Sequence, residues 1–349
     1  MEARKIKLIQ YGMIGWISLA AFSCARTPPI NTPHGIASLE AVTLGGIEQW
    51  ILIRGTDRSN PLLLILHGGP GVSDMPFAHQ FDPPLEKHFV VVNWDQRGAG
   101  KSFHFSIPAE TMTTAQFIAD THELVEMLRK RFGAEKIYLA GESWGAILGT
   151  QVVQRYPELF YAYVGAGQPV DMQRGEKIAY QFVIQEAENS GNQKALRQLR
   201  EIGPPPYKNP KKDIWVEQRW LIFFGGVFYR ESNYNKYINI ARKAPEYSLI
   251  DYIKMLIPVD YSTINKEILA VNFFQTAPRL EVPVYFFEGR HDFRTPGVLV
   301  EEYYQKLDAP KGKRLIRFDN SAHGPRWEEP EKFAEMMVEQ VLAETYPKD

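Results

Sequence analysis

Lys136-Ile137-Tyr138-Leu139-Ala140-Gly141-Glu142-Ser143-Trp144-Gly145 is the stretch on which the fold turns. Its first half, Lys136 to Ala140, is short and apolar and predicts a buried strand. Beyond it, the residues through Ile147 and Val152 toward Pro157 predict a helix. Gly141-Glu142-Ser143-Trp144-Gly145 is therefore a G-x-S-x-G held between a strand and a helix. The glycines permit a sharp turn and a close approach of the two elements, which exposes the serine hydroxyl at a helix N-terminus. The competing reading is a plain strand-to-helix turn with an ordinary serine, and the rest of the chain decides between the two.

Upstream, Leu62 to Leu66 is an unbroken apolar run, as expected of a strand buried on both faces, and His88 to Trp94 makes a second. Ile47 to Arg54 reads as one strand of an early hairpin. Thr113 and Gln116 form a capping-box pattern ahead of Phe117, Leu124 and Leu128, whose spacing predicts an amphipathic helix ending near Gly133. Downstream, Val282 to Glu288 and Arg314 to Phe318 read as two later strands. Strands alternating with helices imply an α/β architecture, a mostly parallel central sheet flanked by helices. Between about Val170 and Thr276 the alternation stops in favour of helix-like stretches, a Gly203-Pro204-Pro205-Pro206 break and many aromatics. Residues 170–276 are accordingly expected to be a helical cap inserted into a core formed by residues 34–169 and 277–349.

At 349 residues the chain suffices for one large domain with such an insertion. A formal net charge of −1 leaves no excess of either sign to hold a polyanion, so nucleic acid is not an expected partner. The aromatics between Tyr207 and Phe274 either fill the cap or line an apolar pocket. Ahead of the domain, Arg4, Lys5 and Lys7 precede a mostly apolar run, Leu8 to Phe22. That run is short for a membrane span of about 20 residues but fits a signal-peptide core of about 7–15. Residues 1–25 thus read as a signal peptide or membrane anchor that places the protein outside the cytoplasm. Cys24, the single cysteine, follows in the manner of a bacterial lipoprotein signal. Ala21-Phe22-Ser23 departs from the usual Leu-small-small tripeptide, so an uncleaved anchor stands beside that reading, and a buried N-terminal helix is the third. Residues 26–33, rich in Pro and Thr, read as a linker.

A hydroxyl is a poor nucleophile at neutral pH, so Ser143 needs a base, and the base needs a group that fixes its tautomer. Asp292, in Gly289-Arg290-His291-Asp292, and His323, in Asn320-Ser321-Ala322-His323-Gly324, each follow a strand in the chain order Ser, Asp, His. His291 is the rival base; His34, His88, His104 and His122 read as surface or satisfied core groups. His67-Gly68-Gly69-Pro70-Gly71 follows the strand Leu62 to Leu66. The amide of Gly69, with that of Trp144, is placed to donate to the oxyanion of a tetrahedral intermediate. As a phosphate loop this segment lacks the G-x-x-x-x-G-K spacing. Neither a metal site nor a cofactor is called for.

His67-Gly68-Gly69-Pro70-Gly71, Asp95-Gln96-Arg97-Gly98-Ala99-Gly100-Lys101-Ser102 and Gly141-Glu142-Ser143-Trp144-Gly145 together resemble the prolyl aminopeptidase (proline iminopeptidase) branch of the α/β hydrolases, over nearly all of His34 to Pro347. The resemblance implies an α/β-hydrolase fold, an oxyanion hole from the HGGPG loop, a DQRG segment packed beside the site and a helical cap above it. It also implies release of an N-terminal residue, often proline, from short peptides. The family's G-G-S-W-G-S is here Gly141-Glu142-Ser143-Trp144-Gly145-Ala146, which sets a carboxylate beside the serine. An aminopeptidase needs acidic groups for the substrate ammonium, because a buried cation without a counter-charge is costly. Glu186, Glu188, Glu217 and Glu231 are the cap's candidates. A carboxylesterase or other acyl hydrolase with the same machinery is the alternative, favoured by the aromatic cap, and a non-catalytic binding protein is a third reading. The expected partners are a small peptide or ester and, through the N-terminal segment, a membrane; the state of assembly stays open.

Overall fold

The computed structural model describes residues 25–257 and 259–347. Arg4, Lys5, Lys7, the run Leu8 to Phe22 and Cys24, on which the targeting reading rests, lie outside the described residues. Eight strands form one sheet: β1 (Ile36–Leu44), β2 (Ile47–Gly55), β3 (Leu62–Leu66), β4 (Val90–Asp95), β5 (Ile137–Glu142), β6 (Phe160–Ala166), β7 (Val284–Gly289) and β8 (Lys313–Phe318). Their order is β1-β2-β4-β3-β5-β6-β7-β8. The β1–β2 hairpin is antiparallel and β2 joins β4 antiparallel; every later pairing is parallel. The chain is an α/β hydrolase in fold.

Alternate residues of the buried strands serve opposite faces, as the two-residue period of a strand demands. Leu62, Leu64 and Leu66 pack with helices Thr114–Phe132, Trp144–Arg155 and Gly297–Lys306. Leu63 and Ile65 pack instead with Phe333, Met337 and Val341 of the C-terminal helical segment. Helix Thr114–Phe132 starts as its sequence predicts, with Thr113 as N-cap accepting from Gln116 N–H, and ends at Gly133 in the left-handed conformation. Only half of the capping box forms, because the Gln116 amide donates forward to Asp120.

The strand order fixes where a ligand can enter. From β3 the chain moves to β4 on one side, whereas from β5 it moves to β6 on the other. Neighbouring parallel strands whose connections leave in opposite directions open a crevice at their C-terminal ends. Here that crevice is bounded by the residues following Leu66 and Glu142, which are the glycine loop and the serine turn.

Between β6 and β7 lie helices Met172–Asn189, Gln193–Ile202, Pro210–Phe223, Asn235–Ala241, Leu249–Met255 and Ser262–Leu269. Their own core includes Val183, Leu199, Tyr207, Trp220, Phe228 and Tyr237. Both readings of the cap aromatics therefore apply: these are buried, whereas Phe223, Phe224 and Tyr229 line a pocket. The stretch 26–33 has no regular secondary structure and is held on the domain surface, with Arg54 Nη1 donating to Pro28 O at 2.8 Å. Among the described residues no helix is long and apolar enough to cross a membrane.

Candidate active site

The turn between β5 and helix Trp144–Arg155 puts Ser143 at φ 55° and ψ −115°, a region that non-glycine residues avoid. Several contacts hold it there. Ser143 N–H donates to Ala166 O of β6 at 3.0 Å, and Ser143 O accepts from Ala146 and Ile147 N–H of the helix. The helix lies so close to β3 that a side chain on Gly145 would stand 1.9 Å from Leu66 O. Close approach, rather than loop freedom, is what requires glycine at this position.

His323 and Asp292 follow β8 and β7, and the structure joins them: His323 Nδ1 lies 2.8 Å from Asp292 Oδ2. Asp292 is buried and its Oδ1 accepts from the N–H groups of Arg294 (2.7 Å) and Thr295 (2.8 Å). The Thr295 hydroxyl donates to Oδ2 at 2.6 Å, so its oxygen faces His323 Nδ1 (3.1 Å) as an acceptor only. Every group around Nδ1 thus wants a proton from it. This places the imidazole hydrogen on Nδ1 and leaves Nε2 with a free lone pair. His291, the rival, is stacked on Tyr229 with ring centroids 4.3 Å apart.

The imidazole lies beside the serine turn. A side chain on Gly167, the residue after the carbonyl that binds Ser143, would meet His323 Nδ1 and Cε1 at 2.9 Å, and Gly167 has φ 50°. Among the described residues no hydrogen bond joins Ser143 Oγ to His323; contacts of this kind tighten when a substrate is bound.

The glycine loop is oriented by a buried histidine. His67 Nε2 accepts from Gln96 N–H at 3.1 Å, so Nδ1 carries the hydrogen and donates to Gly68 O at 2.7 Å. Drawing that carbonyl to one side turns the Gly69 N–H of the same trans peptide to the other. Burial pushes His67 down to about 4, which keeps it neutral for this task. Gln96 also bridges to the serine turn: its amide donates to His67 O (3.0 Å) and accepts from Trp144 Nε1 (2.9 Å). The DQRG segment thus ties together the two loops that carry Gly69 and Trp144.

Glu142, the carboxylate beside Ser143, points away into an ion cluster. Buried Arg326, three residues after His323, pairs with Glu142, with Asp82 at 2.6 Å and with Asp74 at 3.1 Å. Burial and the neighbouring Glu142 hold the Asp74 carboxyl well above the usual carboxylate range despite Arg326. Glu328 straps the histidine loop from its other side, accepting from Ala322 N–H at 2.8 Å, from Gly324 N–H at 3.3 Å and from Tyr229 N–H of the cap. Burial pushes its carboxyl up to about 7. The cap lies directly on these loops: Phe293 N–H donates to Gly226 O and His323 N–H to Val227 O, each at 3.0 Å. Beneath Asp292, Glu288 is fully buried without a hydrogen-bond partner among the described residues, and burial holds its carboxyl well above the usual range.

The four cap glutamates do not converge. Glu186 and Glu231 line one pocket of about 490 Å³ with Phe182, Phe224, Tyr229 and Phe293. Glu217 is buried in the cap and accepts from the Tyr207 hydroxyl. Glu188 is exposed and pairs with Arg200 at 3.2 Å. Among the described residues no group of three His, Cys, Asp or Glu side chains could hold a metal ion.

Thr295, Glu328, Arg326 and Gly167 escaped the sequence reading. Thr295 left a signal, since an Asp whose side chain captures the N–H groups two and three residues on belongs to a recognisable turn. The others act across distances of chain that no local pattern spans.

Residues 61–330 match the family model described as alpha/beta hydrolase fold, and the chain belongs to that family. It is a hydrolase of that family. It is 36% identical over 307 residues to the probable aminopeptidase YbaC of Bacillus subtilis (strain 168), covering 87% of this chain and 96% of the relative. A proline iminopeptidase of Saccharolobus solfataricus is 24% identical over 324 residues, covering 84% and 89%. Among solved structures, a proline iminopeptidase-related protein of Thermus thermophilus superposes with a TM-score of 0.63 at 20% identity, covering 89% of this chain and 99% of that one.

Proposed function

We propose that this chain is a serine hydrolase that releases N-terminal residues, proline or similar, from short peptides through an acyl-enzyme. One observation carries the serine mechanism: an imidazole anchored at Nδ1 by a buried carboxylate at 2.8 Å, beside a serine on a strained strand-to-helix turn. In this reading Nε2 of His323 takes the Ser143 proton as Oγ attacks the scissile carbonyl. Asp292 holds the ring and stabilises the imidazolium. The amides of Gly69 and Trp144 donate to the oxyanion, each worth on the order of 3 kcal/mol of barrier. His323 then protonates the leaving amine, and the same imidazole activates the water that releases the acyl group.

The peptide preference is supported by the relative named as a probable aminopeptidase, similar over nearly its whole length, and by two carboxylates, Glu186 and Glu231, in one aromatic pocket. A substrate ammonium entering that pocket would find its counter-charge in Glu186, as its desolvation requires, since Glu231 already pairs with Lys236 at 3.8 Å and Arg230 lines the same pocket. A carboxylesterase is the second reading, favoured by the aromatic wall itself, in which Phe182 and Phe293 stack at 3.8 Å. We further propose that residues 1–25 direct the protein to a membrane outside the cytoplasm, on the strength of the basic flank and apolar run. A panel pairing proline arylamides with free and blocked amines, run beside short acyl esters, separates the readings. The peptidase reading expects turnover of the free amine alone; equal turnover of blocked substrates and esters refutes it. Ser143→Ala should abolish labelling by a fluorophosphonate, and labelling that survived would remove Ser143 from its role.

A further inference from the structure

Helix Leu249–Met255 and the residue after it expose Leu249 (66%), Ile250 (60%), Ile253 (51%) and Leu256 (72%). Spaced at i, i+1, i+4 and i+7, these four share one helix face. The other face is spent on the domain: Asp251 pairs with Lys101 Nζ at 2.7 Å, and Lys254 Nζ donates to Lys101 O at 3.2 Å. Four large apolar side chains thus stand in water on one helix face, a feature that soluble surfaces ordinarily avoid and that marks a binding face.

The start of the described chain indicates what covers it. Arg26 N–H donates to Pro245 O at 2.9 Å, which pins the N-terminal end of the domain four residues before Leu249. At about 3.5 Å per residue, Leu249 lies no more than roughly 14 Å from Pro245. The chain thus enters the domain at Arg26, beside the segment that leads into this helix. Arg26, Arg242 and Lys243 are exposed around it, and basic groups flanking an apolar helix face suit a surface of anionic lipid headgroups.

We propose that Leu249, Ile250, Ile253 and Leu256 rest in the headgroup region of an anionic bilayer, holding the domain in one orientation on the membrane. This rests on the reading of residues 1–25 as a membrane-directed segment. The test uses the full chain reconstituted with vesicles of three parts phosphatidylcholine to one part phosphatidylglycerol. The photo-crosslinking residue p-benzoylphenylalanine is introduced at position 253 or, as control, at exposed position 311, which precedes β8 at the opposite ends of the parallel strands. The expected result is flotation of both proteins with the vesicles, lipid adducts from position 253 alone, and a fall in adduct yield when phosphatidylglycerol is omitted. Flotation without lipid adducts at position 253, or with adducts to residues 1–24 or a second copy instead, overturns the proposal while leaving the anchor reading standing. Failure of the full chain to float overturns both. An adduct yield indifferent to headgroup charge removes the basic residues from the contact.

Discussion

Replacing Arg326 with Met should destabilise the protein by about 3–5 kcal/mol, the usual cost of stripping the counter-ion from buried carboxylates. Arg326 uses Nε, Nη1 and Nη2 on Glu142, Asp82 and Asp74, and it is 1% exposed. Three charge-assisted bonds at about 1.5–3 kcal/mol each would sum to more, but the cluster can shed part of the cost by taking up protons. Asp74 already shows the tendency, since burial and Glu142 hold its carboxyl above the usual range. The deficit should therefore grow with pH, as carboxyl groups left without a cation are forced to ionise, and be larger at pH 8 than at pH 5. Urea unfolding followed by tryptophan fluorescence at the two pH values measures both quantities. Arg326 also joins the residue before Ser143 to the helix just after His323, so kcat should fall even where the variant is fully folded. Combining Arg326→Met with Glu142→Gln should cost less than the sum of the two single changes. A loss below about 1 kcal/mol, equal at both pH values, would refute this account of the cluster.

Asp292→Asn keeps the size of the side chain but offers Nδ1 a donor, which drives the hydrogen to Nε2 and removes the base; kcat should fall by about 10⁴-fold with little change in KM. Steady-state kinetics on whichever substrate the panel selects will show it. Gly167→Ala sets a methyl 2.9 Å from His323 Nδ1 and Cε1, at a φ of 50°. Because the same methyl would stand 2.7 Å from His323 O, the backbone as well as the ring of His323 must move; kcat should drop on the order of 100-fold, and an unchanged value would mean that the imidazole position is not set there. His67 has a folded pKa near 4 against an ordinary 6.5. A depressed value means that the folded state refuses the proton, so stability present above pH 6.5 is lost as the pH falls toward 4. Such a shift corresponds to about 3 kcal/mol. His67→Asn, which keeps a donor for Gly68 O, should be less stable at pH 7 but lose less between pH 6.5 and 4; parallel denaturation curves with the parent would contradict this.

The parallel sheet was legible because its buried strands advertise themselves. Leu62 to Leu66 has no residue that could face water, and β3 occupies that span. Others were displaced by one or two residues: His88 and Phe89 precede β4, which begins at Val90. β6 left no comparable mark. Its Phe160-Tyr161-Ala162-Tyr163-Val164-Gly165-Ala166 mixes aromatics with small residues directly before the cap, and its strand character comes from pairing between β5 and β7. Motif and chain order brought Ser143, Asp292 and His323 to notice, because loops at the C-terminal ends of parallel strands share one side of a sheet. Local pattern could not say which cap glutamates share a pocket. Glu186 and Glu188 are two residues apart on one helix, yet the 3.6-residue turn sends one to the pocket and the other to Arg200.

Glu142 shows why a departure from a family pattern is poorly read one residue at a time. Beside a nucleophile, an extra carboxylate suggests altered chemistry, and nothing near it in sequence argues otherwise. Its counter-ion stands 184 residues away, on the helix that follows the histidine loop. A glycine in its place would leave Arg326 to Asp82 and Asp74 alone. With glutamate present, one guanidinium links the turn of Ser143 to the loop of His323, the two segments whose separation the proposed chemistry is least able to tolerate. The carboxylate is therefore best understood as a positioning group that acts through Arg326. That distinction is measurable: a group that holds two loops in register should be replaceable at its charge only with loss of both stability and kcat, whereas a group that reacts would spare the fold.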